Sequence, residues 1–347
     1  MPAFPGALPA PRTPDPMDAP ALRWGVLGTG WIAERFVRSV QRHTRQRFTA
    51  IASRDTARAK DFADCHGIPH AYGSYEELTA ATDVDVVYVA TEHTAHLACA
   101  RLALECGKHA LVEKPLALDA DQATEIARLA AERGLFCAEA LWTFFLPRFD
   151  VVRQILDSGV LGDIHTVLAD HGERFTGGHR ILRPELAGGP LLDLGTYPLS
   201  LATWILGAPS GIQAVGQPHP AGVNGQLAAI LGNADGHQAI VHTTLFSNTP
   251  TTPTSATIAG THATLSLPGP FYQPGDLLLT PADGGTPLTY TEPRTAHDAL
   301  HFEAAETARC ITTGQLQSPL RTLTDSITTL RVMDDIRALC GITFPPQ

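Results

Sequence analysis

The chain has 347 residues, which is room for about two domains, and 44% of them are hydrophobic, enough for a sizeable core. Its formal net charge is −10, from 25 basic and 35 acidic residues, which argues against nucleic acid or an anionic membrane surface as a partner. No apolar run approaches the roughly 20 residues that cross a bilayer, and none of the six cysteines is in a CxxC pair, so we predict a cytoplasmic protein with reduced, buried thiols.

Residues 1–20 contain seven prolines among alanine, glycine and threonine. Proline at that density prevents a helix or a strand, so this segment is predicted to be a flexible or polyproline-like arm. It is either a dispensable tail or an arm that lies over a cofactor site or a partner subunit.

Residues 21–145 alternate between short apolar runs and amphipathic stretches, which is the pattern of strands and helices in turn. The predicted strands are 22–27, 48–52, 84–90, 109–112 and 135–141, and the predicted helices are 31–43, 56–65, 94–106 and one that follows the capping residue Asp119 and ends at Gly134. Alternation at this spacing predicts a doubly wound α/β domain with a parallel sheet.

Residues 146–347 have a different pattern. After a helix over 147–158, short runs of alternating hydrophobicity are separated by Gly, Pro, Asn and Thr, which predicts a largely antiparallel sheet with one open face. These runs are 164–170, 212–216, 228–231, 239–246, 255–259, 263–267 and 277–279. Helices over 297–313 and 323–339 complete an α+β domain.

The first predicted strand leads into a glycine-rich turn with the pattern GxGxxA. Between a strand and a helix of the first βαβ unit, this pattern predicts a dinucleotide site. Gly28 allows the tight turn, and Gly30 lets the backbone approach a pyrophosphate at the helix N-terminus. The alternative is a structural loop without a ligand. The residues expected to contact the cofactor here are Gly28, Thr29, Gly30, Trp31 and Ile32.

The end of the second predicted strand favours NADP over NAD. An NAD site usually has Asp or Glu about 20 residues after the first glycine, where it binds the ribose 2′-hydroxyl. This chain has Ser53-Arg54 in that region, and Lys60 follows in the next helix. A hydroxyl and a guanidinium suit a 2′-phosphate, which arginine can bind with two hydrogen bonds. The alternative is that Arg54 is only a solvated surface charge, with NAD as the cofactor.

Glu113-Lys114-Pro115 come at the end of a buried strand, and ligands of a doubly wound sheet bind beyond the carboxyl ends of its strands. Lys114 is also one of only three lysines, against 22 arginines. A lysine near a cationic nicotinamide and a half-buried carboxylate can be tuned to give or take a proton. The alternative is a surface ion pair between Glu113 and Lys114.

A second pair of chemically active residues lies in the run GGPLLDLGTY, residues 188–197. Asp193 and Tyr197 are four residues apart, which places them on one face if a helix begins here. A phenol near the Lys114 cation would be acidified and would protonate a carbonyl oxygen. The alternative is a capping aspartate and a packed tyrosine.

The motifs GTGWIA, EKP and GGPLLDLGTY, in this order, resemble the glucose–fructose oxidoreductase, inositol dehydrogenase and MocA family of oxidoreductases over about residues 22–340. The resemblance implies a Rossmann domain, a second domain whose open-faced sheet makes subunit contacts, and a nicotinamide cofactor in the cleft between the domains. Most members have histidine at the position of Tyr197. Tyrosine there, with residues 139–143, is similar to the branch of dihydrodiol and NADP-linked xylose dehydrogenases, and to certain sugar ketoreductases of antibiotic pathways.

The chain departs from the family pattern after the strand 84–90. Relatives often have Thr-Pro-Asn there, whereas this chain has Thr91-Glu92-His93, and the arginine common after the Trp-Thr pair is Phe144. The resemblance assigns Thr91, His93 and His96 to the cofactor pocket, together with Glu113. A metal site at the two histidines lacks a third ligand, so no metal is expected.

The predicted domains are the arm 1–20, a dinucleotide-binding Rossmann domain over 21–145, and a substrate-binding and oligomerisation α+β domain over 146–347. Trp142 and Phe175 are expected at the substrate, along with Asp193 and Tyr197. The expected partners are a small-molecule substrate and further copies of the chain, as a homo-dimer or homo-tetramer through the second-domain sheet.

We therefore predict an NADP-dependent oxidoreductase that transfers hydride between the nicotinamide and a secondary or hemiacetal alcohol, or the corresponding ketone, of a sugar, cyclic polyol or dihydrodiol. Lys114 and Tyr197 would move the proton, and Asp193 would orient the substrate hydroxyl. Two alternatives stay open: a non-catalytic NADP-sensing regulator on the same fold, and a reductase of an imine or a conjugated double bond.

Overall fold

The structure is a computed structural model that describes residues 4–247 and 251–344. Its first sheet has six parallel strands: β1 (Arg23–Leu27), β2 (Arg47–Ala52), β3 (His70–Tyr72), β4 (Val86–Val89), β5 (His109–Glu113) and β6 (Cys137–Ala140). Their order across the sheet is β3-β2-β1-β4-β5-β6. This is the strand order of a Rossmann domain, so the predicted doubly wound parallel sheet is confirmed.

Five helices connect these strands: α1 (Trp31–His43), α2 (Thr56–His66), α3 (Tyr75–Ala80), α4 (His96–Glu105) and α5 (Ala120–Arg133). The predicted capping residues act as expected for α5, because the Asp119 side chain accepts from a backbone N–H in its first turn and Gly134 ends it in the left-handed conformation. Neither β3 nor α3 was predicted from the sequence. The strand β3 has only three residues and stays partly exposed, so it lacks the apolar run of a central strand.

The second sheet has eight strands: β7 (Ile164–Gly172), β8 (Gly211–Pro218), β9 (Asn224–Gly232), β10 (Gln238–Thr244), β11 (Ala256–Gly260), β12 (Ala263–Leu267), β13 (Leu277–Pro281) and β14 (Leu288–Tyr290). Their order is β14-β13-β12-β11-β7-β10-β9-β8. All neighbours are antiparallel except β7 and β10. The predicted largely antiparallel sheet is therefore confirmed, with β14 as an additional edge strand.

The second half of the chain also contains the helices α6 (Pro147–Asp157), α7 (Pro190–Asp193), α8 (Thr196–Leu206), α9 (His301–Thr312) and α10 (Leu323–Leu339). The apolar helix α8 packs on β7 and β10 and covers the inner face of the second sheet. No helix within residues 4–247 or 251–344 is both long and apolar enough to cross a membrane.

The opposite face of the second sheet carries exposed apolar side chains. Leu168 pairs with Ile240, and Ile240 pairs with Ile230, so the three form a row across β7, β10 and β9. Each of the three is more than 40% exposed. The row lies on the sheet at which subunit contacts were predicted, and the oligomeric state stays a prediction.

The chain divides into two compact units. The first contains residues 14–145 and 296–327, and the second contains residues up to 13, residues 146–295 and residues from 328 onward. The predicted boundary between 145 and 146 coincides with this division. Residues 296–327, however, were assigned to the second domain and belong to the first unit, because α9 packs against α1.

Part of the predicted flexible arm has defined contacts. In the second unit, Arg12 pairs with Asp150 (2.9 Å between Nη2 and Oδ1), and the side chain of Gln154 donates to the carbonyl oxygen of Ala10 at 2.9 Å. In the first unit, Ala19 is 3% exposed and packs on α9. The arm is therefore packed at these points, and its dispensability for folding stays a prediction.

Candidate active site

The glycine-rich turn joins β1 to α1. Gly28 has a φ of +104°, which glycine adopts readily, and a Cβ there would lie 2.4 Å from the carbonyl oxygen of Ala90. At Gly30 a Cβ would have nothing within 4 Å, so the backbone is accessible, and Thr29 and Ile32 beside it are half-buried. No side chain caps the N-terminus of α1, which leaves its first N–H groups suited to a pyrophosphate.

The end of β2 presents a guanidinium. Arg54 is 76% exposed, and its Nη2 lies 3.5 Å from Oε2 of Glu92. Ser53 is buried, and its Oγ accepts from the backbone N–H of Asp55. Asp55 is the acid nearest to the end of β2, but its Oδ1 accepts from two backbone N–H groups of α2. That carboxylate therefore caps a helix, and arginine is the charged group displayed at this strand end.

The three lysines have different surroundings. Lys108 precedes β5, and its Nζ donates to the carbonyl oxygens of Ala81 (2.6 Å) and Val84 (2.8 Å), so it connects the start of β5 to the segment before β4. Lys60 is exposed on α2. Lys114 follows β5 and is thus at the carboxyl end of that strand, where ligands of such sheets bind.

Glu113 holds the backbone at Lys114. It is 6% exposed, and Oε1 accepts from the hydroxyl of Tyr88. Its Oε2 accepts from the backbone N–H of Lys114 at 3.1 Å. The Lys114–Pro115 peptide is cis. A buried carboxylate with these donors positions the backbone of Lys114 from inside the sheet.

His96 bridges the segments that follow β4 and β5. It is fully buried in the first turn of α4, with Nδ1 2.8 Å from the carbonyl oxygen of Pro115 and Nε2 3.2 Å from that of Thr91. His93 is 4% exposed, and its ring lies 5.6 Å from that of His96. Within the described ranges, no group of three His, Cys, Asp or Glu side chains could hold a metal ion. His96 thus joins the two strand ends at which the cofactor is expected.

An aromatic bridge lies beside the glycine-rich turn. His297, just before α9, has its ring 4.8 Å from the exposed ring of Trp31, edge to face. It also stacks on the buried Trp142 at 5.2 Å. The start of α1 and the segment after β6 are therefore connected through His297, a residue that the sequence analysis did not single out.

A second carboxyl is buried near Glu113. Glu303, in α9, is 0% exposed, and neither of its carboxyl oxygens has a hydrogen-bond partner among the described residues. Burial raises the pKa of Glu303 well above its usual range, and the nearby charge of Glu113 raises it further. Because Glu113 accepts two hydrogen bonds and Glu303 accepts none, the proton of this pair belongs on Glu303.

Glu303→Gln is expected to stabilise the fold increasingly as the pH rises. A carboxyl with a raised folded-state pKa contributes full stability below its unfolded pKa of 4.5 and loses it as the pH rises through the folded-state pKa. The amide does not titrate. Between the unfolded-state and folded-state pKa values of Glu303, the free energy of unfolding of the variant should therefore rise relative to that of the wild type by up to about 1.4 kcal/mol per pH unit. Urea unfolding at about pH 5, 6.5 and 8 measures this gain.

The control is Glu105→Gln, which changes an exposed glutamate in the same unit and should shift stability by under about 0.5 kcal/mol at every pH. A Glu303→Gln variant that is destabilised equally at all three pH values would contradict the neutral-acid assignment.

In the second unit, Asp193 and Tyr197 lie on two short helices. Asp193 ends α7 and Tyr197 lies in the first turn of α8, so the two do not share one helix face. Asp193 is 6% exposed, and its Oδ1 accepts from Nη2 of Arg180 at 3.0 Å. Tyr197 is 7% exposed. The predicted residues are thus present and mostly buried, but a break after α7 orients them separately.

The ring of Tyr197 belongs to a cluster on the inner face of the second sheet. It stacks on Tyr272 with ring centres 4.2 Å apart, and the ring of His171 is 5.4 Å away. His171 in turn stacks on Tyr272 at 4.6 Å. Oε1 of Glu173 accepts from Nε2 of His171 (2.9 Å) and from the hydroxyl of Tyr272 (3.4 Å). We call Tyr197, Tyr272, His171 and Glu173 the Tyr197 cluster.

Arg148, in α6, holds the segment that carries Tyr272. It is 0% exposed, and burial lowers its pKa to about 10, so the guanidinium is still charged at neutral pH. Its Nη atoms donate at 2.6–3.4 Å to five backbone carbonyl oxygens, those of Pro268, Pro270, Phe271, Gln273 and Asp276. The segment 268–276 is therefore wrapped around a buried cation, and this places Tyr272 against Tyr197.

Comparison with known proteins assigns the chain to a family. A sequence model described as an oxidoreductase family with an NAD-binding Rossmann fold matches residues 22–140, and one for the GFO/IDH/MocA C-terminal domain matches residues 149–266. The chain belongs to the GFO/IDH/MocA oxidoreductase family. Trans-1,2-dihydrobenzene-1,2-diol dehydrogenases from Bos taurus and Homo sapiens are 36% and 33% identical to it, over 94% of this chain and 98% of theirs.

Solved structures of the GFO/IDH/MocA fold are also similar. A 3-ketoreductase from Actinomadura kijaniata, in complex with NADP and TDP-benzene, superposes with a TM-score of 0.80 at 28% identity, over 94% of this chain and 100% of that one. Related structures of that ketoreductase have a tyrosine changed to phenylalanine or a lysine changed to alanine or glutamate. Levoglucosan dehydrogenase, with a TM-score of 0.84 at 17% identity over 94% and 100% of the two chains, shares the fold.

Within this GFO/IDH/MocA chain, Phe175 contacts residues of the segment 179–194. It packs against a small core that includes Ile181 and Leu194, and its ring lies 4.4 Å from that of His179. Leu194 directly follows Asp193, which places Phe175 close to that residue along the chain. The substrate role of Phe175 stays a prediction.

Several residues around the candidate site were not predicted from the sequence. For His171 a signal was present, because the alternation of β7 puts it on the same face as the buried Val167 and Ala169. For Glu303 the signal was a carboxyl on the buried side of an amphipathic helix. For Arg148 the sequence carries no signal, since its partners are backbone carbonyls more than 100 residues away.

Proposed function

We propose that this protein is an NADP-dependent oxidoreductase that interconverts a secondary or hemiacetal alcohol and the corresponding carbonyl compound in a sugar, cyclic polyol or dihydrodiol. The observation that carries the proposal is that each of the two candidate proton carriers is held by buried neighbours within its own unit. Lys114 follows a strand whose last residue, Glu113, holds its backbone, and Tyr197 is stacked on Tyr272. Relatives named dihydrodiol dehydrogenase and 3-ketoreductase support the same reaction class.

The proposed reaction combines a hydride transfer with a proton transfer. When bound, the nicotinamide supplies or accepts the hydride, which leaves one proton on the substrate oxygen to be moved. The phenolate form of Tyr197 takes that proton during oxidation, the phenol returns it during reduction, and the ammonium of Lys114 stabilises the phenolate. Asp193, buried and paired with Arg180, accepts a hydrogen bond from the substrate hydroxyl and orients it.

The charges at the end of β2 support NADP. The contact of Arg54 with Glu92 is long and exposed, and such pairs contribute under about 1 kcal/mol, so a phosphate can replace the carboxylate. A bidentate contact between guanidinium and phosphate is stronger. Lys60 adds a positive charge on the exposed side of α2, and Asp55 is used as a helix cap.

Arg54→Ala is expected to raise the Michaelis constant for NADP by roughly 10–100-fold, because a charge-assisted hydrogen-bond pair contributes about 1.5–3 kcal/mol. The constant for NAD, which has no 2′-phosphate, should change by less than about 3-fold. Steady-state kinetics with both cofactors measure the two effects. Arg128→Ala, which removes an exposed arginine from α5, is the control. A wild-type preference for NAD, or equal effects on the Michaelis constants for NADP and NAD, would contradict the assignment of NADP.

A rate screen in both directions tests the reaction class. We expect turnover with NADP or NADPH on at least one member of a panel of aldoses, inositols, keto-sugars and trans-dihydrodiols. Cofactor binding without turnover of any of them would instead indicate a regulatory protein. Reduction of cyclic imines or conjugated enones alone would indicate a different reductase.

A further inference from the structure

His171 occupies a buried position beside the candidate proton carrier. It lies on the inner face of β7, is 1% exposed, and has its ring stacked on Tyr272 and 5.4 Å from the ring of Tyr197. An imidazole is an unusual choice for this position if packing were its only role, because an apolar ring would fill the same space without polar atoms to satisfy.

Glu173 determines which nitrogen of His171 carries the proton in the neutral ring. Nε2 lies 2.9 Å from Oε1 of Glu173, and a carboxylate can only accept, so Nε2 is the donor. The same oxygen accepts from the hydroxyl of Tyr272, which in turn accepts from the side-chain amide of Gln273 at 3.2 Å. This arrangement leaves Nδ1 of His171 with a lone pair, that is, as a hydrogen-bond acceptor.

That acceptor is buried and has no donor within the part of the chain that the structure describes. Oγ1 of Thr243, a residue that is 1% exposed, is also buried and has no hydrogen-bond partner among the described residues. The two residues are direct cross-strand partners in the parallel pair of β7 and β10, so both belong to the same face of the sheet. An unsatisfied buried polar group costs about 1–3 kcal/mol, and two at adjacent positions beside Tyr197 call for a common explanation.

We infer that His171 is a specificity-determining residue: its Nδ1 accepts a hydrogen bond from a second hydroxyl of the substrate, next to the carbon that is oxidised. Thr243 lies on the same face and can donate to that hydroxyl. The site therefore selects vicinal diols over simple alcohols, with one oxygen at Tyr197 and its neighbour at His171. This inference rests on the proposed function, because it assumes that Tyr197 faces the reacting oxygen.

A matched pair of substrates isolates the second hydroxyl. The probes are trans-cyclohexane-1,2-diol and cyclohexanol, which differ by that group alone. The matched variants are His171→Asn and His171→Leu, whose side chains have the same number of non-hydrogen atoms and the same branching. Asparagine retains an acceptor oxygen at the position of Nδ1, and leucine does not.

We expect the wild type to prefer the diol, and His171→Leu to lower the ratio of kcat/KM for the diol to kcat/KM for cyclohexanol by roughly 10–100-fold. His171→Asn should recover a large part of the preference. Equal losses on both substrates, or equal behaviour of the two variants, would mean that His171 only packs against Tyr197, and would overturn the inference.

A spectroscopic measurement separates this inference from the proposed reaction. In 15N-histidine-labelled protein saturated with NADP, the His171 signals, assigned by their loss in His171→Asn, should show an unprotonated Nδ1 and a protonated Nε2. Adding trans-cyclohexane-1,2-diol should shift the Nδ1 resonance, and cyclohexanol should not. A protonated Nδ1, or a resonance unchanged by saturating diol, overturns the inference even if the enzyme is active. A diol-specific shift without turnover supports it and contradicts only the proposed reaction.

Discussion

Tyr197→Phe is expected to lower the turnover number by roughly 10²–10⁴, the usual contribution of a positioned general acid or base. The substitution removes the hydroxyl and keeps the ring, so the stack on Tyr272 should be retained. The affinity for NADPH should therefore barely change. Steady-state rates give the turnover number, and titration of NADPH fluorescence gives the affinity.

Lys114→Met should lower turnover similarly, and the double variant should be little slower than either single variant. The reason is that two groups that serve one proton transfer act as a unit, so their losses do not add. Losses that multiply would mean that Lys114 and Tyr197 serve different steps. Full activity of Tyr197→Phe would remove Tyr197 from the mechanism.

Arg148→Met is expected to lower the free energy of unfolding by at least about 3 kcal/mol. Each buried carbonyl that loses its partner costs about 1–3 kcal/mol, and Arg148 serves five of them. The apolar side chain fills similar space, so the loss reports on hydrogen bonds more than on a cavity. Urea unfolding of the intact chain measures it.

Arg294 offers a matched control for this variant. It contacts the same segment, through the carbonyl oxygen of Gly269 (3.3 Å) and the carboxylate of Asp276 (2.9 Å), but its side chain is 54% exposed. Arg294→Met should therefore cost under about 1 kcal/mol. Arg148→Lys should be intermediate, because an ammonium has three donors and cannot reach all five carbonyls. Equal, small losses at positions 148 and 294 would contradict the role given to Arg148.

The variants Tyr197→Phe and Arg148→Lys also distinguish a residue that reacts from one that positions its neighbours. Tyr197→Phe removes the reacting hydroxyl and should leave stability nearly unchanged. Arg148→Lys removes no group of the Tyr197 cluster but loosens the segment 268–276 that carries Tyr272. We expect the molecules that remain folded to show a lower turnover number with a nearly unchanged Michaelis constant for NADP.

The sequence by itself determined the class of both sheets and predicted which strand ends carry the candidate cofactor site. Hydrophobic period, helix caps and the GxGxxA turn are local, since they arise between residues a few positions apart and need no knowledge of the fold. For the same reason α1 and α10 were predicted with the bounds they have in the structure. Lys114 and Tyr197 were predicted because short motifs carry them.

Only the tertiary structure decided what surrounds those residues. The rings of the Tyr197 cluster come from β7, α8 and the segment 268–276, and the buried carboxyls Glu113 and Glu303 come from β5 and α9. Local patterns could not have shown that residues 296–327 pack with the first unit, or that Arg148 serves carbonyls more than 100 residues away. The physical reason is that burial and hydrogen bonding between distant segments depend on which side chains the fold brings within about 3 Å, and no periodicity along the chain records that proximity.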